Sequence, residues 1–393
     1  MTLTEPIAPA ASADDALSVG LRLTREVLEP MKRAFVGKDE VIDLMGVALA
    51  AGENLFLLGP PGTAKSALVY DLGRRLHGRT FEYLLTRFTE PNELFGPFDI
   101  RRLREGELVT NTEGMLPEAS FVFLDELLNA NSAILNSLLT ALNERVFRRG
   151  REKRDLPAIA VFGVSNRLPE DDALGALFDR FLLRVVCDNV PSERLGEVLR
   201  AGWELGRGDR AAAEAPLDVE DVRRLNGLLG RVDLTEVRPA LAELVVRLRN
   251  AGVAVSDRRA VKLQRPVAAS ALLSGRTRAL RSDLWVLRHV WDTIEQREVL
   301  ASVVGDAVKA APPDPADHPR SRADEAPDPE ALARDLEQVE QDLTAADATE
   351  ADRAAARDRL SLLAARAQWV RDEAQRAHLA GRAEALFGAG GAR

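Results

Sequence analysis

The sequence predicts an α/β fold: a parallel sheet covered by helices, then an all-α domain and a C-terminal helical extension. Three observations predict it. Five strand-like runs, 53–58, 81–86, 121–125, 158–165 and 181–187, alternate with helical patterns. Several of these runs are apolar throughout, as parallel strands buried on both faces are. From about residue 190 to 305 the pattern is wholly helical and no strand alternation returns.

Taken in order, residues 1–17 are rich in Ala, Pro and Ser and read as a disordered tail without the basic start and apolar run of a signal peptide. Residues 18–190 carry the alternating strands and helices. The clearest helix there is 131–144, where Ile134, Leu135, Leu138, Leu139 and Leu142 recur at helical spacing and Asn131 or Ser132 can cap the start. Residues 191–305 form the all-α domain. Six prolines between 306 and 330 mark a linker or exposed loop. Residues 331–393 read as two antiparallel helices broken near 344–349, with Leu332, Leu336, Val339 and Leu343 on one and Leu360, Leu363, Ala367 and Val370 on the other. This hairpin either packs on its own protein or offers Trp369, Leu386 and Phe387 to a partner.

At 393 residues the chain is long enough for two or three domains, and 46% hydrophobic residues suffice for a packed core. A net charge of −9 argues against a general polyanion binder. A single cysteine, Cys187, excludes a disulfide framework and suits a reducing, cytoplasmic setting. No run reaches membrane-spanning length. The four histidines are scattered, so a His/Cys metal site is not expected.

The chemistry is concentrated at strand ends. The first strand runs into Gly59, Pro60, Pro61, Gly62, Thr63, Ala64, Lys65, Ser66 and Ala67. This is a relaxed phosphate-binding loop: the strict motif has Gly before the Lys, and Ala64 stands there instead. Backbone N–H groups at the start of the following helix can cradle a phosphate chain. Lys65 would reach the terminal phosphates, and Ser66 would ligate Mg2+. The third strand ends in Asp125 and Glu126, beyond the carboxyl edge where open parallel sheets bind ligands. Asp125 suits the metal shell, and Glu126 can polarise an attacking water. The fourth run ends in Asn166, placed to touch a γ-phosphate. Arg180, just before the fifth run, is either a surface partner of Asp179 or a finger reaching a neighbouring subunit's nucleotide. Ser256 or Asp257 can cap a helix whose Arg258 or Arg259 could fold over the nucleotide. Position does not separate those two.

This order of motifs resembles the AAA+ ATPases and, within them, the MoxR family, nearest its RavA branch. The resemblance rests on Leu57–Ser66, Thr86–Gly96, Gly114–Glu118, Phe123–Glu126, Ala133–Asn136 and Leu142–Arg145, and covers about 20–305. It implies an αβα nucleotide domain with strand order 5-1-4-3-2, a helical lid, ATP and Mg2+ as cofactors, and Val36 and Gly37 beside the base. It also implies a hexameric ring, a partner with a von Willebrand factor A domain, and chaperone-like remodelling of a protein substrate. Two insertions are implied, at roughly 88–113 and as a hairpin at roughly 145–157. The six basic residues of 145–154 are either solvated or line a ring pore. The Pro-rich segment is too short for the β-rich insertion of RavA-type proteins. Two other readings are a metal-insertion motor like the magnesium chelatase ATPase subunit and a nucleic-acid motor. The acidic chain makes nucleic acid the weaker partner.

Overall fold

A computed structural model describes residues 13–149, 152–169, 172–206, 217–314, 316–322, 329–345, 353, 356, 360, 367 and 372–390. The chain divides into two units, Met1–Ser321 and Arg322–Arg393.

Five strands of the first unit form one sheet: β1 (Leu55–Leu58), β2 (Thr80–Leu84), β3 (Phe121–Asp125), β6 (Ala160–Ser165) and β7 (Leu183–Val186). Two more, β4 (Val146–Arg149) and β5 (Glu152–Asp155), pair antiparallel as a hairpin. The sheet order is β2-β3-β6-β1-β7 and every pairing is parallel. Without the hairpin strands this is the expected 5-1-4-3-2 order. β1, β3 and β6 are the buried interior strands, which explains their continuous apolar runs. The strands start or stop up to two residues inside the expected runs, because flanking residues turn toward loops and caps.

The carboxyl ends of β1, β3 and β6 meet at one edge, where Leu58 pairs with Ser165 and Leu124 with Gly163. Helix Asp39–Ala51 is buried from Val41 to Ala51 and packs on helix Asp257–Leu273 of the helical domain. Its last carbonyls lack helical partners. Asn226 Nδ2 donates to the carbonyls of Leu49 (2.7 Å) and Ala50 (2.8 Å), and Arg265 Nη2 to Ala51 (2.6 Å). The helical domain is thus tied to the sheet layer through the end of that helix.

Two expectations about segment limits need correction. The tail was expected to run to residue 17, yet a helix begins at Ala13 (Ala13–Arg22); residues 1–12 lie outside the described residues. The stretch from 306 was expected as a linker or exposed loop. Helix Gln296–Lys309 runs into it, and the described part up to Ser321 belongs to the first unit. His318 is buried and its ring stacks on Trp285 at 5.0 Å, while Arg320 Nε bonds Asp43 Oδ2 at 2.9 Å. The prolines set an extended path over the surface, and a buried aromatic and a buried carboxylate hold that path down.

In the second unit, helices Pro329–Thr344 and Glu373–Gly390 pack together through Leu332, Leu336, Val339, Leu379 and Ala383, with Arg382 paired to Glu340 at 3.1 Å. Arg353, Ala356, Leu360 and Ala367 are also helical, and the last three are buried. The chain bends at Asp372 before the last helix, so the expected second helix is not continuous to the end. Trp369 and the break at 346–349 lie outside the described residues.

Candidate functional site

The turn after β1 is shaped by close approach. A Cβ at Gly59 would lie 2.3 Å from the Cys187 carbonyl oxygen, because the chain leaving β7 crosses there. Cys187, expected as a core residue, is buried and donates its thiol toward the Thr63 carbonyl at 3.5 Å. Gly62 has φ +83°, and Ala64, in the place of the usual glycine, sits at φ +65° in the left-handed region. Helix Lys65–Arg75 begins there without a side-chain cap, so its first N–H groups remain available to an anion. Lys65 is 8% exposed. Its ammonium donates to the carbonyls of Gly59 (3.1 Å) and Pro60 (2.6 Å) and to Thr63 Oγ1 (3.2 Å). The loop therefore satisfies its own lysine, and a phosphate would have to take over those bonds.

A cavity of about 360 Å³ opens beside this loop. Lys65, Ser66, Asp125, Glu126 and Asn166 all line it, with Gly59, Pro61, Gly62, Ala64 and Ala67. Sequence positions up to 107 residues apart thus converge because β1, β3 and β6 are neighbours. Asp125 Oδ1 accepts the N–H of Glu126 at 2.9 Å. Glu126 itself has φ +50°, a strained backbone for a non-glycine residue that turns its carboxylate off the strand line. Pro60 and Thr63 are not among the cavity-lining residues. Val36 and Gly37 lie elsewhere: a Cβ at Gly37 would meet the Val190 side chain at 3.1 Å and the Arg194 guanidinium at 3.8 Å.

The donor set fits a nucleotide with Mg2+. The cavity offers free helix-start amides, one lysine, a hydroxyl and two adjacent carboxylates. Among the described residues no group of three or more His, Cys, Asp or Glu could hold a metal. Mg2+ is commonly held by one or two protein oxygens together with phosphates and water, and Ser66 and Asp125 line this cavity together.

The expected arginines are not in this cavity. Arg180, Arg258 and Arg259 line a second, smaller one of about 30 Å³, with Asp179, Ser256 and Lys262. Arg258, expected as a lid arginine folding over the nucleotide, is not among the residues that line the phosphate cavity. Arg180 is 3.6 Å from Asp179, and its Nε is buried without a hydrogen-bond partner. The two candidates at the helix start also separate. Arg259 is buried and committed: its Nη1 donates to both Asp292 oxygens (3.0 and 2.9 Å) and its Nη2 to the Val290 carbonyl (2.5 Å). Arg258 is exposed at the cavity mouth. Ser256 caps this helix by accepting the Arg259 N–H at 3.2 Å.

Asp292 also takes Arg184 Nη1 at 2.5 Å. Arg184 lies in β7, is wholly buried, and packs over the Phe178 ring at 4.1 Å. Burial, and then the nearby Arg259, lowers its pKa to about 10. This Arg184–Asp292–Arg259 cluster joins β7 to the helix that carries Arg258, and sequence reasoning missed it. Its signal was a lone arginine inside an otherwise apolar strand run.

The basic hairpin is less available than its sequence suggests. Arg145 is half-buried and donates to Asn54 Oδ1 at 2.8 Å; Arg149 stacks on Phe98 and donates to the Gly96 carbonyl at 2.7 Å. Arg148 pairs with Glu144 at 2.6 Å, and Arg154 with Glu152 at 3.1 Å. Arg151 lies outside the described residues.

This edge, with a phosphate loop, two carboxylates and a polar strand end on one parallel sheet and a helical domain behind it, defines an AAA+ nucleotide-binding fold. Residues 22–227 match the family described as the MoxR domain in the MoxR-vWA-beta-propeller ternary systems, and 232–304 match an AAA lid domain. The chain belongs to that MoxR family, whose membership implies ATP hydrolysis. Two uncharacterised proteins of Methanocaldococcus jannaschii are each 34% identical to it, over 312 and 284 residues. These matches cover 73% and 72% of this chain and 82% and 73% of theirs. Chaperone MoxR1 of Mycobacterium tuberculosis is 26% identical over 245 residues, 61% of this chain and 62% of that one. A solved structure from Cytophaga hutchinsonii, assigned as an ATPase, superposes with a TM-score of 0.61 at 18% identity, covering 76% of this chain and 97% of that one. At that identity it supports the fold. Among the described residues no helix is long and apolar enough to cross a membrane.

Proposed function

We propose that this protein is a Mg2+-dependent ATPase working in a cytoplasmic ring, most naturally a hexamer, that remodels or matures partner proteins. Within the family we place it nearest the RavA branch, on the motifs at Thr86–Gly96 and Gly114–Glu118. The observation that carries the reading is the division of the machinery between two cavities. Lys65, Ser66, Asp125, Glu126 and Asn166 share one, while Arg180, Arg258 and Arg259 share the other, Arg259 already bonded to Asp292. The first holds the parts that bind a triphosphate and activate water. The second holds guanidiniums that stabilise a transferring phosphoryl group, with one buried N–H still unpartnered. Two copies, with the arginine cavity of one facing the phosphate cavity of the next, make one complete site.

In that site Ser66 and Asp125 would hold Mg2+, which would supply charge neutralisation for the phosphates. Lys65 leaves its loop carbonyls for the terminal phosphates, Glu126 orients and deprotonates the water, and Asn166 touches the γ-phosphate. Val36 and Gly37 would lie beside the base, as the resemblance implies. Residues 18–190 serve as nucleotide domain and 191–305 as lid, and hydrolysis loosens the contacts that hold them in register.

The family description and the resemblance both point to a von Willebrand factor A domain protein as partner, and the description adds a β-propeller protein. A nucleic-acid motor is disfavoured by the internal commitments of Arg145, Arg148, Arg149 and Arg154. The direct test is capture with Glu126→Gln, which should hold ATP and its partners. Recovery of a von Willebrand factor A domain protein with Mg2+ and ATP, and its loss on adding Lys65→Ala, supports the reading. Capture that ignores nucleotide would sink it.

A further inference from the structure

Beyond the motifs, one side-chain chain runs from the Asn166 strand end to the candidate base. β3 ends at Asp125, Glu126 turns left-handed, and Leu127–Asn129 forms a single 3-10 turn. That turn is held without the Asn129 side chain: the Asn129 N–H donates to the Glu126 carbonyl at 2.8 Å, and Leu127 and Leu128 are buried beneath it. The Asn129 amide is thus spare, and it lies between two charged groups. Its Nδ2 donates to Glu126 Oε2 at 3.4 Å, and its Oδ1 accepts Arg167 Nη2 at 3.0 Å. Arg167 is itself placed by its N–H on Ser165 Oγ at 3.2 Å, one residue from each side of Asn166.

The chemistry of the three groups leaves one arrangement. Arginine has donors and no acceptor, so the amide must turn its oxygen to Arg167. Its NH2 group then faces Glu126, where only an acceptor fits. We propose that Asn129, oriented by Arg167, is a positioning residue for Glu126: it holds one carboxylate oxygen so that the other meets the attacking water. This rests on Glu126 being the base. The 3.4 Å bond is long for a resting hydrogen bond, and such contacts commonly tighten once substrate is bound. The arrangement also couples the base to the strand end that senses the γ-phosphate. A shift of Asn166 on phosphate loss moves Arg167 with it, and the amide lets Glu126 go. The charged groups facing Glu126 are Asp125 and Lys65 in the cavity and Arg167 through the amide.

The test compares Asn129→Ala, Asn129→Asp and Arg167→Ala in the full chain, with Mg-ATP as ligand. Misplacing a reacting group by on the order of 1 Å can cost about a hundredfold in rate. Losing one guiding bond should cost about tenfold in kcat, with the ATP dissociation constant within about twofold of wild type. Asp forms turns as readily as Asn, but it brings an acceptor and a like charge to Glu126. Asn129→Asp should therefore be at least as slow as Asn129→Ala. If Asn129 only shapes the turn, Asn129→Asp turns over like wild type, and the proposal falls. The double variant Asn129→Ala/Arg167→Ala should be no slower than Asn129→Ala, because Arg167 acts through the amide; additive losses overturn the relay. Glu126→Gln separates the layers. An inactive Glu126→Gln beside a fully active Asn129→Asp removes the relay and leaves the base in place. An active Glu126→Gln removes both.

Discussion

The phosphate cavity and the arginine cavity are opposites in construction. The first is wide and built at the ends of three neighbouring strands, and its lysine is satisfied by its own loop. The second is narrow, lies where the strand-7 lead-in meets the helical domain, and keeps a buried guanidinium N–H without a partner. One is internally balanced and can rest without ligand. The other carries an unmet donor, and unmet buried donors cost free energy until something accepts from them. That contrast is what the proposed division between two chains would need: one cavity that rests complete and one that a neighbour would complete.

The largest effects should break the first cavity. Lys65→Ala should abolish ATP binding with the fold intact; calorimetric binding at wild-type affinity by the folded variant would contradict the phosphate role. Glu126→Gln should bind ATP and hydrolyse it at least about a hundredfold more slowly, since general-base help is worth about that much or more. Single-turnover hydrolysis at the wild-type rate would move the water to another residue.

The next effect tests whether the cavities work between chains. Arg180→Ala should bind ATP normally and lose on the order of a thousandfold in turnover, as arginine fingers do. Arg258→Ala should fail in the same way, because it is exposed in the same cavity, whereas Arg259 there is bonded to Asp292 and Val290. Mixing either with Lys65→Ala should restore part of the activity, since an intact arginine cavity then meets an intact loop. Arg259→Ala should behave differently: it strips a partner from half-buried Asp292 and breaks the tie to Arg184's strand, so its unfolding temperature should fall before its catalysis is informative. If subunits exchange and no mixture regains activity, the division between chains is wrong.

The same contrast governs what could be read in advance. The strand runs and the phosphate cavity were legible because parallel strands are apolar throughout and the chemistry falls at their ends, while the strand order came only from the family resemblance. The arginine side was legible by residue type and not by partner. Arg258 and Arg259 are adjacent and alike, and the distinction lies in Asp292, more than thirty residues on. The burial of His318 and Ser321 was hidden for a similar reason. Prolines and aspartates signal solvent, and only contacts distant in sequence, Trp285 with His318 and Asp43 with Arg320, overrule them. In the hairpin, charge alone suggested a pore, but buried Asn54 and the Phe98 face had already claimed two of its arginines.

A smaller effect distinguishes the two regions by pH. His289 is buried near the Asp292 seam, and burial, then Arg288, Arg297 and Arg320, lowers its pKa to about 3. His318, on the other side of Trp285, is lowered to about 4, again chiefly by burial. Both are neutral in the fold, while in the unfolded chain they take up protons near pH 6.5. Stability is therefore full above about pH 6.5 and declines as pH falls toward about 4, by up to about 1.4 kcal/mol per unit for each histidine. Thermal unfolding of His318→Gln should fall less steeply over that window than wild type. Equal slopes would mean that His318 does not contribute.

The smallest effect lies in the phosphate loop, at the one position where it departs from the strict motif. Ala64 holds φ +65°, which costs a residue with a Cβ about 1 kcal/mol relative to glycine. Glycine there would relieve that strain, but it would also loosen the unfolded chain, which works against the gain. Relief should win, because the strained angle is fixed by the helix start on one side and by the Lys65 bonds to Gly59 and Pro60 on the other. Ala64→Gly should raise stability by about 0.5–1 kcal/mol, with ATP affinity close to wild type. A drop in stability would show that the loop is not held at this angle in solution. Then the self-satisfied state of Lys65, on which the contrast between the two cavities depends, would not be the resting state either.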